Sequence, residues 1–180
     1  MYFLTSERVG FRHWREDDLE LAMALWGNPE VTRLIDARTP LQPEQVRARL
    51  AEEITRRQRH GIQYWPIFLR TTGEHLGCCG LREKQPAAGV LEFGVHLRRE
   101  AWGKGLASEA GRAAIAWGFR DGAARQLFAG HHPENDGSRR MLLKLGFRHT
   151  GDEFYPPTGL QHPSYLLTPA AAQPSPHVTR

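Results

Sequence analysis

Cysteine is nearly missing from this 180-residue chain: the two present, Cys78 and Cys79, are neighbours in HLGCCGL. Adjacent strand residues point to opposite faces, so the pair excludes a disulfide framework. No ligand spacing around them suits a metal, and two buried thiols in a reducing, cytoplasmic setting are expected. Long apolar runs are missing too, which excludes a membrane-spanning helix. The opening MYFLTSERVG meets charge too early for a secretory signal. Lysine is scarce, with only Lys84, Lys104 and Lys144, so arginine carries most of the basic charge. Twenty-four basic against 20 acidic residues give a net charge of +4. That balance suits an anionic ligand and does not call for nucleic acid. The densest basic run, RRQRH at 56–60, ends a helical pattern and reads as a solvated face.

What is present is a mixture of strand and helix patterns without internal repeats. LTSERVGFRHW alternates loosely and reads as a first strand. In REDDLELAMALWGN, Asp17 or Asp18 caps a helix with apolar residues at Leu19, Ala22, Met23 and Trp26, stopped by Gly27-Asn28-Pro29. A second helix follows, with Pro43 in its first turn, Val46, Leu50 and Ile54 four apart, and Gly61 at its end. YWPIFLRTTGEHLGCCGLR reads as two strands around a Thr-Gly turn, with Pro66 favouring an edge or a strand start. VLEFGVHL is the next strand. ASEAGRAAIAWGFRD is a small-residue helix with Ala107, Ala110, Ala114 and Trp117 on one side. ARQLFAGHH is a strand, NDGSRRMLLKLGF a capped helix, and the rest a terminal hairpin. One α/β domain over 1–168 is expected, with a flexible tail at 169–180, where PAAAQPSPHVTR has a disordered composition.

The segment REAWGKGLASEA places Gly103 and Gly105 around Lys104, between a strand and a helix start. The first amides of a helix have no intrahelical acceptors, and the helix dipole adds positive potential. Glycines let an anion lie against bare backbone, and Lys104 with Arg98 and Arg99 adds charge. The spacing does not match a P-loop, and Ser108 stands where a dinucleotide fingerprint needs its third glycine.

LEFGVHLRREAWGKGLASEA, followed at the expected distance by NDGSRRMLLKLGF, resembles the GNAT superfamily of N-acetyltransferases. More narrowly, it resembles the branch of the RimJ/RimL-type ribosomal-protein N-acetyltransferases. The likeness runs over roughly residues 4 to 167. It implies a mixed, mostly antiparallel twisted sheet of about seven strands, splayed between the fourth and fifth and flanked by about four helices. The implied anion is the pyrophosphate of acetyl-CoA, held by the backbone of Gly103, Lys104, Gly105, Leu106, Ala107 and Ser108. Trp102 replaces the Gln or Arg of the family's loop. Val95 and Leu97 would offer backbone groups to the pantetheine arm, as a sheet edge accepts a strand. Asn135 matches the residue that binds the arm's amide, and it equally suits a helix cap.

The resemblance also implies direct transfer of an acetyl group to an amine. An amide near Val95 to His96 would serve the oxyanion. Leu142 occupies the position of the tyrosine that many relatives place near sulfur. Ser138 matches the branch's serine and would protonate or hydrogen-bond the thiolate; as an ordinary helix serine it would satisfy an amide. Glu92 matches a catalytic glutamate of some members, with a salt bridge as its structural alternative. Glu153 and Tyr155 are expected to face the acceptor, Glu109 to make a structural hydrogen bond, and His131 and His132 to be surface residues. The acceptor, a protein N-terminus or a small-molecule amine, is left open. So are a homodimer and a non-catalytic acyl-CoA-binding module.

Overall fold

The opening stretch makes two strands where one is expected. Its polar centre SER turns the chain, so β1 (Leu4–Thr5) and β2 (Val9–Phe11) form a hairpin. The Ser6 hydroxyl closes it by accepting the Val9 amide at 3.1 Å. In the computed structural model, which describes residues 1–36, 38 and 40–172, this raises the sheet to eight strands. The others are β3 (Tyr64–Leu69), β4 (His75–Gln85), β5 (Val90–Leu97), β6 (Gln126–Gly130), β7 (Arg148–Tyr155) and β8 (Leu160–Leu167). Their order is β1-β2-β3-β4-β5-β6-β8-β7, antiparallel except for β5 against β6.

Pro66 lies inside β3, not at an edge or a start. Its carbonyl accepts the Arg12 amide just past the end of β2. In an extended strand the nitrogen and carbonyl of one residue face the same side, so the missing N–H faces β2's end and the ladder to β4 is intact.

Four longer helices cover the sheet, α1 (Leu19–Trp26) and α3 (Pro43–His60) on one face, α4 (Leu106–Arg120) and α5 (Asp136–Lys144) on the other. Two single turns, α2 (Pro29–Thr32) and α6 (Pro169–Ala172), are added to the expected four. The segment expected to be a tail therefore begins as a helix; its remainder, 173–180, lies outside the described residues. Helix α3 shows why its residues choose this form. Pro43 supplies its first turn, Gln42 and Gln45 cap it reciprocally, and Gly61 ends it at φ 73°. Arg57, Arg59 and His60 meet the negative end of its dipole. Asp18 occupies the N-cap position of α1 but turns its carboxylate to Arg12, at 2.6 and 2.7 Å, and caps nothing.

Cys78 and Cys79 are free and buried in the separate cores of the two faces. Close approach of α4 to the sheet needs Gly111, where a Cβ would come within 2.8 Å of Leu145 Cδ1 and 3.1 Å of Phe93. No helix among the described residues is long and apolar enough to cross a membrane.

His75, at the start of β4, is buried against the rings of Trp14 and Phe68, and neither ring nitrogen has a partner among the described residues. Burial, with Arg98 second, lowers its pKa to about 4. An unfolded chain takes up that proton near pH 6.5. Neutral His75 thus contributes stability that is full above pH 6.5 and lost as the pH falls towards 4, roughly 3 kcal/mol in all. Urea unfolding from pH 7 to 4.5 should show a shallower loss for His75→Leu than for the parent; equal slopes would refute the assignment.

Candidate active site

Strands β5 and β6 pair only at Val90, Leu91 and Glu92, opposite Gln126, Leu127 and Phe128. Beyond that point β6 follows β8, while β5 stays with β4 as far as Leu97. The expected splay is therefore present, between β5 and β6 in an eight-strand count. Gly89's carbonyl accepts the Arg125 amide from the β6 side. Strand alternation then turns the amides and carbonyls of residues 91, 93, 95 and 97 the same way. Val95 consequently presents its backbone to the gap.

A cleft of about 600 Å³ passes through this gap and is lined by residues from both sheet faces. On the α4 side lie Gly103, Gly105, Leu106, Ala107 and Ser108, with Asn135 and Ser138 from α5. Gly103 and Gly105 adopt φ of 73° and 74°, a left-handed conformation that glycine tolerates best. Among the described residues, the amides of residues 103–108 donate to no protein acceptor, the first helical bond being Glu109 N to Gly105 O. Lys104 is exposed and lies outside the cleft lining, its carbonyl tied to Arg8 Nη1 at 3.2 Å. Arg8 also grips Glu109, which accepts the Ser6 hydroxyl as expected of a structural carboxylate. Burial would raise that carboxyl's pKa, but Ser6 and Arg8 hold it lowered.

Trp102 contributes what the sequence did not suggest for a replaced position. Its indole N–H donates to the Leu97 carbonyl at 2.9 Å, and Arg99 lies 4.8 Å above its ring. The loop is braced, and one lone pair of Leu97 is already engaged. Asn135 caps α5, its Oδ1 accepting the Ser138 amide at 3.0 Å. The Ser138 hydroxyl makes no hydrogen bond among the described residues, so it does not play the amide-satisfying part.

On the α3 side, Glu92 forms no salt bridge among the described residues and instead accepts the Tyr64 hydroxyl at 3.0 Å. Burial and then Glu92's charge raise the Tyr64 pKa well above its usual value, which keeps the phenol a donor. Arg82, opposite Glu92 on β4, pairs with fully buried Glu53 on α3. Glu53 also accepts the Tyr64 amide at 2.8 Å. Glu153 and Tyr155 both reach the cleft, Glu153 in an ion pair of 2.7 Å with Lys84. His131 corrects its surface reading: it is buried, with Nδ1 2.7 Å from the His132 carbonyl and Nε2 3.1 Å from the Tyr165 hydroxyl. Burial lowers its pKa. Sequence reasoning missed Tyr64, Arg49 and Arg82, whose meeting depends on the packing of α3 on the sheet. Among the described residues, no group of three His, Cys, Asp or Glu is placed to hold a metal ion.

Strand parting, a glycine-bent helix start and a capped second helix meet at one cleft. The family model described as "Acetyltransferase (GNAT) domain" matches residues 8–148, and the chain belongs to that family. An uncharacterized N-acetyltransferase, p20 of Bacillus licheniformis, is 30% identical over 152 residues, 84% of this chain and 85% of its own. A GNAT acetyltransferase structure from Bacillus anthracis superposes with a TM-score of 0.78 at 20% identity, over 92% of this chain and 97% of that one. RimL, a ribosomal L7/L12 α-N-protein acetyltransferase solved in complex with coenzyme A, gives 0.77 at 18% identity, over 92% and 97%. The fold neighbours thus include the branch that the motifs resemble.

Gly103 and Gly105 have room for a Cβ, with nothing within 4 Å of the first and only Arg8 Nη2 at 3.7 Å from the second. Alanine at either position should cost about 1–2 kcal/mol from backbone conformation alone, and asparagine less. Urea denaturation of the four variants checks this; equal losses for Ala and Asn would point to a steric cause instead.

Proposed function

We propose that this acetyltransferase moves the acetyl group of acetyl-CoA directly to a primary amine, either a protein N-terminus or a small-molecule amine. The observation that carries the reading is the set of unpartnered amides at residues 103–108, facing a gap edged by the free backbone of Val95. A helix start leaves its first amides without intrahelical acceptors, and a diphosphate followed by an amide-bearing arm would satisfy both these amides and the open strand edge. Gly103, Gly105, Leu106, Ala107 and Ser108 bind the diphosphate, and Lys104 adds charge from outside the cleft. Val95, the remaining lone pair of Leu97, and Asn135 hold the arm.

Acetyl-CoA supplies an acetyl thioester. Glu92, kept in place by the Tyr64 hydroxyl, takes a proton from the acceptor amine, directly or through water. The nitrogen then bonds to the acetyl carbon and the carbon–sulfur bond breaks. The Val95 amide donates to the carbonyl oxygen as its negative charge grows. The Ser138 hydroxyl hydrogen-bonds the departing thiolate, and the proton that the nitrogen gave to Glu92 returns through water to the sulfur, so that coenzyme A leaves as a thiol. Buried free thiols and an acetyl-CoA requirement fit a cytoplasmic enzyme.

Incubation of an amine and N-terminal peptide panel with acetyl-CoA, read by mass spectrometry, should show a gain of one acetyl group. Coenzyme A binding without any acetylation would instead favour a non-catalytic acyl-CoA-binding module. Ser138→Ala should lower kcat by about 100-fold while coenzyme A affinity by calorimetry stays within about 2-fold. An unchanged kcat removes Ser138 from the mechanism. Glu92→Gln should flatten the rise of rate with pH, and a profile identical to the parent's would exclude Glu92 as the base.

A further inference from the structure

Arg49, on the inner side of α3, is one of the charged groups in the cleft that the mechanism leaves unused. It lines the cleft and stacks its guanidinium 4.9 Å from the Trp26 ring. Its Nε is buried without a partner, and none of its other donors has a hydrogen bond or ion pair among the described residues. Three carboxylates lie within electrostatic reach, Asp36, Glu52 and Glu53. Each is already engaged by another arginine: Asp36 by Arg38 at 2.6 Å, Glu52 by Arg56 at 2.5 Å and Glu53 by Arg82. Burial and then the charge of Arg82 lower the Arg49 pKa, so the fold works against this cation. A guanidinium held in a partly desolvated site with five open donors suits an oxyanion bound in a fork, and with the diphosphate proposed at the α4 amides it is left for a planar carboxylate.

Its position says where that carboxylate belongs. Trp26, on which Arg49 stacks, donates from Nε1 to His96 Nδ1 at 3.2 Å, and His96 follows Val95 in β5. The Tyr155 hydroxyl feels both Glu92 and Arg49. Arg49 therefore shares the α3 half of the cleft with Glu92, across the sheet from the α4 amides proposed for the diphosphate. Resting on the acetyltransfer reading above, we infer that Arg49 is a specificity-determining residue, receiving a carboxylate carried by the acceptor close to its amine. A free α-amino acid supplies that chemistry, and so does a peptide beginning with an acidic residue.

The test compares alanine with alaninamide, and a peptide beginning with aspartate with its asparagine counterpart, as acceptors for the parent, Arg49→Lys and Arg49→Met. Alaninamide has the less basic amine, so a preference for alanine cannot arise from more free amine. In the parent, kcat/KM should favour the carboxylate member of one pair on the order of 100-fold. The pair that responds identifies the source. Arg49→Met should abolish the preference through KM, Arg49→Lys should keep part of it, and calorimetric affinity for coenzyme A should be unchanged in both. Equal use of both members of each pair by the parent, or a preference surviving in Arg49→Met, would overturn the inference. So would loss of coenzyme A affinity on substitution. If no amine is acetylated at all, the acetyltransfer reading fails on its own. Calorimetric titration of alanine and alaninamide into the coenzyme A-loaded protein then decides on Arg49: binding of alanine alone, lost in Arg49→Met, supports its role, and any other pattern refutes it.

Discussion

The parting of β5 from β6 is the constraint on which the rest of the molecule depends. β5 is held by β4 along its whole length, and β6 is drawn away by β8, so the two parallel strands share only three paired positions. A parallel pair joined through a crossover helix has no turn to force it shut. α4 is that crossover, and it begins at the wide end of the gap. A single geometric event thus produces a strand edge inside a sheet and points the free amides of a helix start at it. Natural sheets avoid exposed inner edges because the unpaired groups cost free energy. Here the edge is open to the cleft, which residues from the helix start and from both sheet faces line.

A second constraint is the charge carried on the α3 side. Glu53 is fully buried yet receives Arg82, Arg56 and the Tyr64 amide, while Gln63 bonds the Glu53 carbonyl at 2.8 Å. Such a hub ties α3 to β3 and β4, and its satisfaction is what makes burial tolerable. Burial alone would lower the Arg82 pKa, but Glu53 and Tyr64 hold it raised. Because Arg82 is bound to Glu53, Glu92 is left with the neutral Tyr64 hydroxyl. A carboxylate so placed can accept a proton without first breaking an ion pair. The α3 half of the cleft therefore holds the paired charges of Arg82 and Glu53, while Arg49 and Glu92 stand outside any ion pair among the described residues.

How much of this was legible in the sequence follows from how local each signal is. The glycines around Lys104, the Asn135 cap and the Pro43 start and Gly61 end of α3 depend on neighbours within a few residues, and they stand where sequence reasoning expects them. The hairpin at the N-terminus was read as one strand because its turn, Ser6 to Arg8, carries neither Gly nor Pro; the Ser6 side chain does the closing. Pro66 misled because its carbonyl side happens to face the end of a three-residue strand. Glu53, Arg49 and Tyr64 gave no local sign of their roles, since only the packing of α3 against β3 and β4 brings them together. His131 read as a surface residue for the same reason, its partner Tyr165 lying 34 residues away on β8.

One arrangement invites a different chemistry and argues itself out. Cys78 Sγ lies 3.7 Å from His96 Nδ1 within the α3 half of the structure, a separation that suggests an activated thiol and an acetylated enzyme. A reactive cysteine must be a thiolate, and that requires a basic imidazole or nearby positive charge that outweighs burial. Burial, with Glu53 next, instead pushes the Cys78 pKa up to about 12. The imidazole is driven well below its usual range by burial and by Arg49 and Arg82. Its Nδ1 already accepts the Trp26 indole at 3.2 Å, leaving no free lone pair there to take a proton from sulfur. Thiol and imidazole are both neutral; the thiol is fully buried, while the half-buried imidazole lines the cleft. Neither group offers a nucleophile in this state, which fits the proposed direct transfer, in which the acceptor's own amine attacks.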